Sequence, residues 1–394
     1  MGKIDLIRSL DVERTFKFSL RKKDEPLIDF DIVLTGMRET LCRIHKVRNG
    51  DPQLLPYGLK VQDSELLSWL HSRFIPKNRV FVENLLSALP DLDPPLVNLL
   101  NTTLGLSLVD DYWILPESRT DLSWANHNLY ENEFSETLAL VAFTGYQEKV
   151  RGIVSSPEFT TNGMLPKCWR RIDGGIYLYK GGTEGAANAG LEPYSEYYAS
   201  QVAEAMNIHH VGYELEKWKG RLCSTCSLFT SQDRSYVPAH IAYPGLSASE
   251  LLFAIANVQD FYDRLIDIMI LDIVIANHDR HFGNFGFIRN NHTGVLDDVA
   301  PAFDNGMSLL HQAMESDLLE VDPYLDWRKY TFAFVPNKEL GFLAKYMEPD
   351  HRSKLRKLVD FEFEKHPSYN LDDKRLRFLS EFVRSRARSL LNTG

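Results

Sequence analysis

Residues 270–288 read Ile270-Leu271-Asp272-Ile273-Val274-Ile275-Ala276-Asn277-His278-Asp279-Arg280-His281-Phe282-Gly283-Asn284-Phe285-Gly286-Phe287-Ile288. A helical apolar run gives way to a short loop crowded with polar and ionisable groups, and a strand-like run follows. Polar groups packed between two apolar elements are costly to bury unless they have a task. Asp279 and Asn284 stand in a D-x-x-x-x-N spacing. In phosphotransfer catalytic loops this spacing lets the Asp orient an attacking hydroxyl and accept its proton, while the Asn amide oxygen binds Mg2+. Beyond a hairpin whose tip is Asn290-Asn291-His292-Thr293-Gly294 comes Phe303-Asp304-Asn305-Gly306. A carboxylate there can reach back to the same cation. Mg2+ takes hard oxygen ligands and few of them from protein, so Asn284 and Asp304 are the candidate metal ligands.

Working upstream, Thr160-Thr161-Asn162-Gly163-Met164-Leu165-Pro166-Lys167 is a turn-rich loop. Gly163 lets its backbone N–H groups approach an anion, with Lys167 beside them. Lys180 closes a strand at 176–179, and Glu196 stands near the start of the next helix. A strand lysine paired with a helix glutamate positions nucleotide phosphates in kinases. Phe229, after the following pair of strands, marks a candidate hinge for adenine. Glycine loop, strand Lys, helix Glu, hinge, Asp-x-x-x-x-Asn and metal Asp come in kinase order. The order therefore implies bound ATP and Mg2+.

Composition narrows the alternatives. The 394 residues carry 44 Lys plus Arg against 54 Asp plus Glu, a net charge of −10. Duplex DNA is held largely by a basic excess, so direct nucleic-acid binding is not expected. Four cysteines, Cys42, Cys168, Cys223 and Cys226, are too few for a disulfide framework in a chain of this length. The start MGKIDLIRSLDVERTF lacks the apolar core of a signal peptide, and the apolar run 268–276 is interrupted by Asp272 and far short of the ~20 residues that span a bilayer. A cytoplasmic protein without membrane contact is expected.

Three textures divide the chain. Period-two alternation at 15–20 and 28–34 predicts strands, and apolar spacings of three or four at 64–74, 79–89 and 95–105 predict helices, the first capped by Asp63 or Ser64. Asp173-Gly174-Gly175 signals a hairpin before the strand at 176–179. A helix at 195–206 and strands near 211–216 and 221–229 follow. The rest reads as helices around a strand-like insert at 285–303. The expected fold is α+β: an accessory α+β domain at 1–130, then a bilobal kinase-like fold with a small antiparallel N-lobe at 131–230 and a helical C-lobe at 231–394.

The stretches Gly163-Met164-Leu165-Pro166-Lys167, Ser195-Glu196-Tyr197-Tyr198, 277–286 and Ala300-Pro301-Ala302-Phe303-Asp304 resemble the HipA family of bacterial serine/threonine kinases. The resemblance covers about residues 135–394; the N-D-R-H-x-x-N-F-G run is its specific part. It implies a protein kinase, often the toxin of a toxin–antitoxin pair, acting on a translation factor such as an aminoacyl-tRNA synthetase and restrained by a small DNA-binding antitoxin. It also implies autophosphorylation three residues before the loop glycine, where Thr160 replaces the family's serine and Thr161 lies beside it. Leu165 replaces the family's usual Gln, and residues 1–130 depart from the usual N-terminal subdomain.

Other readings stay open. Asp279 and Asn284 are also turn and cap residues. His281 reads as a scaffold that bonds a backbone carbonyl near Asp304, and is grouped with the nucleotide-binding residues. His278 and Asp279 with His209 and His210 could form a metal-hydrolase site if the histidines converge. Cys223-Ser224-Thr225-Cys226 has zinc-like spacing without a second pair. Asp297 and Asp298 compete with Asp304 for the metal, and Trp169 either covers the glycine loop or packs. A kinase-shaped binding module and a small-molecule or lipid kinase are the rival functions.

Overall fold

The computed structural model describes residues 13–35, 40–89, 95–154, 156–186, 188–327 and 340–393; the first twelve residues, on which the signal-peptide reading rests, lie outside them. The chain divides into two compact units. The first comprises Met1–Ile176 with two short returns, Thr230–Ser235 and Arg289–Val295; the second comprises Tyr177–Phe229, Tyr236–Ile288 and Leu296–Gly394. Together they give a mixed α+β protein with antiparallel sheets. No helix among the described residues is long and apolar enough to cross a membrane.

In the first unit the period-two segments form β1 (Arg14–Lys22) and β2 (Glu25–Leu34), followed by β3 (Thr40–Val47). The register pairs Phe18 with Phe30 and Leu20 with Ile28, so alternate side chains share one face and bury it. A fourth strand, β4 (Tyr112–Pro116), joins the far side of β1 in the order β3-β2-β1-β4. β4 opens with the aromatic pair Tyr112 and Trp113. Both are buried, with the Trp113 indole N–H donating to the Lys23 carbonyl at 2.6 Å.

Helices α1 (Asp63–Ser72), α2 (Val82–Ala88) and α3 (Pro95–Thr103) follow the spacings read from sequence. The cap of α1 differs. Gln62 occupies the N-cap position and gives no side-chain cap bond; Asp63 instead accepts the Ile44 backbone N–H of β3 at 2.8 Å, satisfying a sheet-edge donor. Two further helices, α4 (Trp124–His127) and α5 (Glu136–Thr144), precede β5 (Lys167–Ile172). Asp173 and Gly174 turn the chain after β5 with positive φ, at 49° and 81°, the geometry of a tight hairpin turn.

The second unit begins within β6 (Gly175–Gly181), at Tyr177, and continues with α6 (Glu192–Met206), β7 (Tyr213–Trp218) and β8 (Arg221–Ser227). β8 lies between β6 and β7, pairing Ser224 with Lys180 on one side and Leu215 on the other. β9 (Arg234–Pro238), unread from sequence, joins β10 (Gly286–Asn290) and β11 (Leu296–Val299) in the order β11-β10-β9. Gly286 is required there because a Cβ would sit 2.3 Å from the Val237 carbonyl oxygen.

The helices are α7 (Ala239–Ala242), α8 (Ala248–Ile255), α9 (Gln259–Val274), α10 (Val321–Trp327), α11 (Leu340–Ala344), α12 (Pro349–Arg356) and α13 (Asp373–Asn392). The C-terminal half of α9, Leu265 to Val274, is buried all round. A helix with no solvent face is the centre of its core. It is surrounded by residues of α6, α8, α12 and α13, among them Val202, Leu252, Leu355 and Val383. That packing fixes the end of α9, and with it the loop that follows.

Candidate active site

α9 stops at Ile275, and Ala276 takes φ 51°, a left-handed conformation that costs a non-glycine residue about 1 kcal/mol or more. The chain turns sharply into the polar loop. Asn277 donates its side-chain amide to Asp272 at 3.0 Å, and its oxygen accepts the Asp279 N–H at 3.1 Å. Asp272, the carboxylate inside the apolar run, faces Arg280 at 3.0 Å, and both side chains are fully buried.

Arg280 organises the site. One of its nitrogens, Nη1, donates to the carbonyl of Asn284 at 2.8 Å and also to the carbonyl of Phe303. Nη2 reaches the Asn305 side-chain oxygen. Two carbonyls on one nitrogen bring Asn284 and the residue before Asp304 to neighbouring positions. The guanidinium fork suits such multiple acceptors. His281 does not make the carbonyl contact expected of it. Its Nδ1 accepts the Gly283 N–H at 3.0 Å and the ring is exposed, so the neighbouring arginine, with its longer arm and several donors, takes that place.

Lys180 on β6 and Glu196 on α6 meet in a buried ion pair of 2.6 Å. The same ammonium donates to Asp304, and the second oxygen of Glu196 accepts the Asn305 N–H at 2.7 Å. Glu196 therefore ties lysine, helix and the Asp304 turn together. Gly306 is close-packed against this pair, since a Cβ would lie 3.2 Å from Glu196 Oε1. Asp304 has φ 56°, and its N–H is held by the Tyr213 hydroxyl at 3.2 Å. Burial works to lower the Lys180 pKa, but the Asp304 and Glu196 carboxylates outweigh it and hold the ammonium charged. Burial, reinforced by Asp304 and opposed by Lys180, raises Glu196.

The carboxylate of Asp279 opens to solvent and accepts no hydrogen bond from the described residues. Desolvation by the loop, and next the charge of Asp304, hold it above the usual aspartate range against His281 and Lys180. Asn284 is buried and donates its amide N–H to the Asp279 carbonyl at 3.1 Å. That bond turns its amide oxygen, which accepts no bond from the described residues, toward other use. Asn284 oxygen and Asp304 carboxylate are hard donors suited to Mg2+. Phe229 lies against Phe303 and Tyr236, with ring centroids 5.3 and 5.7 Å away, and the Tyr236 hydroxyl donates to the Gly283 carbonyl at 3.0 Å. This aromatic group braces the loop and the Asp304 turn.

The rival clusters are not assembled. His278 stacks on His311 at 5.4 Å, whereas His209 is bonded to Arg264 at 2.6 Å and His210 to the Ile208 carbonyl at 2.8 Å. Asp298 also pairs with Arg264, at 3.0 Å. Cys223 and Cys226 are buried on β8. Among the described residues no group of three or more His, Cys, Asp or Glu is placed to hold a metal.

The glycine loop belongs to the first unit. Gly163 has φ 96°, which favours glycine, and Lys167 donates to the Asn162 carbonyl at 2.7 Å. The Thr160 hydroxyl reaches the carbonyls of Leu106 and Pro157 at 3.1 and 3.2 Å. Thr161 donates to the Pro157 carbonyl at 2.7 Å and accepts the Trp169 indole N–H at 2.9 Å, so Trp169 does cover the loop. Asp272, Arg280, Asn305 and Tyr213 were missed from sequence; the one legible signal was a charged Asp272 inside an apolar helix.

In sequence the chain is similar to the serine/threonine-protein kinase CtkA of Helicobacter pylori, 24% identical over 135 residues, which is 30% of this chain and 41% of that protein. The chain resembles the HipA-like kinases. It spans about two fifths of the length of the CtkA relative it matches, and no family profile matches it. Two solved structures are also similar to the chain. The crystal structure of CtkA, a proinflammatory kinase, covers 59% of this chain and 91% of its own at 18% identity, with a TM-score of 0.45. A chain of the Shewanella oneidensis toxin–antitoxin complex of HipA, HipB and operator DNA covers 95% and 97% at 10% identity, with a TM-score of 0.49.

Proposed function

We propose that this chain is an ATP- and Mg-dependent protein kinase of HipA type that phosphorylates serine or threonine. One observation carries the reading. A buried lysine is shared by a helix glutamate and an aspartate, and Arg280 ties that aspartate's turn to a loop whose Asp279 carboxylate and Asn284 amide oxygen accept no hydrogen bond among the described residues. Bound Mg·ATP supplies the transferable phosphoryl group and the cation that neutralises charge developing on it. In this assignment Asp279 orients the acceptor hydroxyl and takes its proton. Asn284 and Asp304 hold the cation, Lys180 holds phosphate oxygens, and Glu196 keeps Lys180 in place. Residues 160–167, with Gly163 and Lys167, offer backbone and cationic donors to the phosphates. Phe229 marks the adenine side, and His281 borders the loop. Residues 131–230 and 231–394 act as the two lobes.

The finer proposals follow from the resemblance. The substrate is a protein hydroxyl, with a translation factor such as an aminoacyl-tRNA synthetase the first to try. A small DNA-binding antitoxin is the proposed partner, and in a chain of charge −10 that partner supplies the basic contacts to any operator. Thr160 and Thr161 are the proposed autophosphorylation sites. Each must leave its carbonyl partner to be modified, so self-modification requires the loop to open. The proposed compartment is the cytoplasm. Incubation with γ-labelled ATP and Mg2+, alone and with bacterial lysate, tests the reading. Label on the chain or on a lysate protein is expected; a bound but untransferred nucleotide would favour a binding module, and labelled small molecules or lipids a different kinase class.

A further inference from the structure

The base of the glycine loop is held by an arginine from the N-terminal part of the chain. Arg79 lies just before α2, and its side chain is fully buried. Nη1 donates to the carbonyls of Glu158 at 2.7 Å and Thr161 at 3.2 Å; Nη2 donates to the Lys167 carbonyl at 2.7 Å and to the Glu158 carboxylate at 3.2 Å. Thr161 precedes Gly163 and Lys167 follows it, so one guanidinium staples the two stems of the loop. Glu158 is itself fixed by the Trp169 N–H at 2.8 Å. The neighbouring Val80 N–H donates to the Met164 carbonyl at the loop tip at 2.9 Å. A buried arginine bonded to three main-chain carbonyls defines a conformation in a way a point charge cannot.

We propose that Arg79 is a positioning residue for nucleotide phosphate. By joining both stems it holds the backbone N–H groups around Gly163 in the conformation that meets an anion. The proposal rests on the phosphotransfer reading above. It assigns the N-terminal segment, which sequence alone left without a role, a direct part in shaping the loop.

The test uses the full chain as wild type, Arg79→Lys and Glu158→Gln. Hydrogen exchange of the 160–167 amides is measured without nucleotide, and kcat and KM are measured with Mg·ATP. Arg79→Lys is expected to speed loop exchange about tenfold and raise KM for ATP about tenfold, while kcat changes less than about threefold. Unchanged exchange overturns the proposal, as does faster exchange with an unchanged KM. Should Arg79→Lys not fold, Glu158→Gln decides, because it frees one arm of the fork and keeps the carbonyl bonds: faster loop exchange with a higher KM supports the staple, and wild-type values of either overturn it. A wild type that neither binds nor turns over ATP sinks the phosphotransfer reading and this proposal together. A wild type that turns over beside an Arg79→Lys variant of equal KM sinks the proposal alone.

Discussion

Asp272 and Arg280 form a buried ion pair at 3.0 Å, eight residues apart, across the turn that ends α9. The aspartate is rooted in the core helix, and the arginine carries that position to the carbonyls of Asn284 and Phe303. The geometry of the candidate site is thereby referred to the helix whose C-terminal half is buried all round. Burial raises Asp272, and the adjacent Arg280 opposes that rise.

Removing one partner should leave a buried charge unpaired, which costs about 3–5 kcal/mol. Arg280→Ala is expected to lose stability on that scale in urea denaturation. Arg280→Lys should recover only part of it, because an ammonium cannot serve both carbonyls and Asn305. A loss under about 1 kcal/mol would show that the pair is not a structural pivot.

Lys180 serves Glu196 and Asp304 at once, so its removal should strike transfer as well as stability. Lys180→Met exchanges a buried cation for an apolar side chain of similar length. It is expected to lower phosphoryl transfer by about 100-fold or more while the protein still melts cooperatively. Wild-type transfer rates in this variant would remove Lys180 from the phosphate role.

Glu158 gives the stability a pH dependence of known sign. Burial, against the pull of Arg79, pushes its carboxyl from 4.5 up to about 7. A carboxyl raised by folding binds its proton more tightly in the folded state. Its stabilising contribution is therefore full below about pH 4.5 and is lost as pH rises through about 7. Denaturation midpoints should show the wild type falling relative to Glu158→Gln across that window. A constant difference between the two would contradict the placement of Glu158.

The four cysteines are buried and stand outside any disulfide, and burial pushes the Cys42 and Cys226 thiols up to about 12. The reactive thiolate is scarce at neutral pH. Native protein should resist alkylation by iodoacetamide, while denatured protein takes four labels. Rapid labelling of Cys223 and Cys226 in the native state would point to a β8 more open than the structure has it.

Much of the site was legible because its residues sit at spacings that chemistry imposes. Lys180, Glu196, Asp279, Asn284 and Asp304 were all named from order and spacing, and the structure brings Lys180 together with Glu196 and Asp304. The long helices and period-two strands were legible for the same reason, since repeated apolar spacing is strong over many residues. What escaped was set by tertiary contact. Asp63 looked like a helix cap but serves a strand edge. β4 and β9 are five residues each, too short for a pattern. His281 was chosen over Arg280 because a histidine in a polar loop draws chemical attention, whereas the reach of an arginine to three backbone and side-chain acceptors depends on where the chain returns. Arg79 lies about 80 residues before the loop it holds, and no local pattern connects them.

The central claim is that Asp279 takes part in phosphoryl transfer, and one measurement bears on it most directly: transfer from γ-labelled ATP with Mg2+ by wild type and Asp279→Ala, in the presence of lysate protein. Wild type should label itself or a lysate protein, and Asp279→Ala, with its fold retained, should do so at least about 100-fold more slowly. Equal labelling by the two proteins, or none by either, would contradict it.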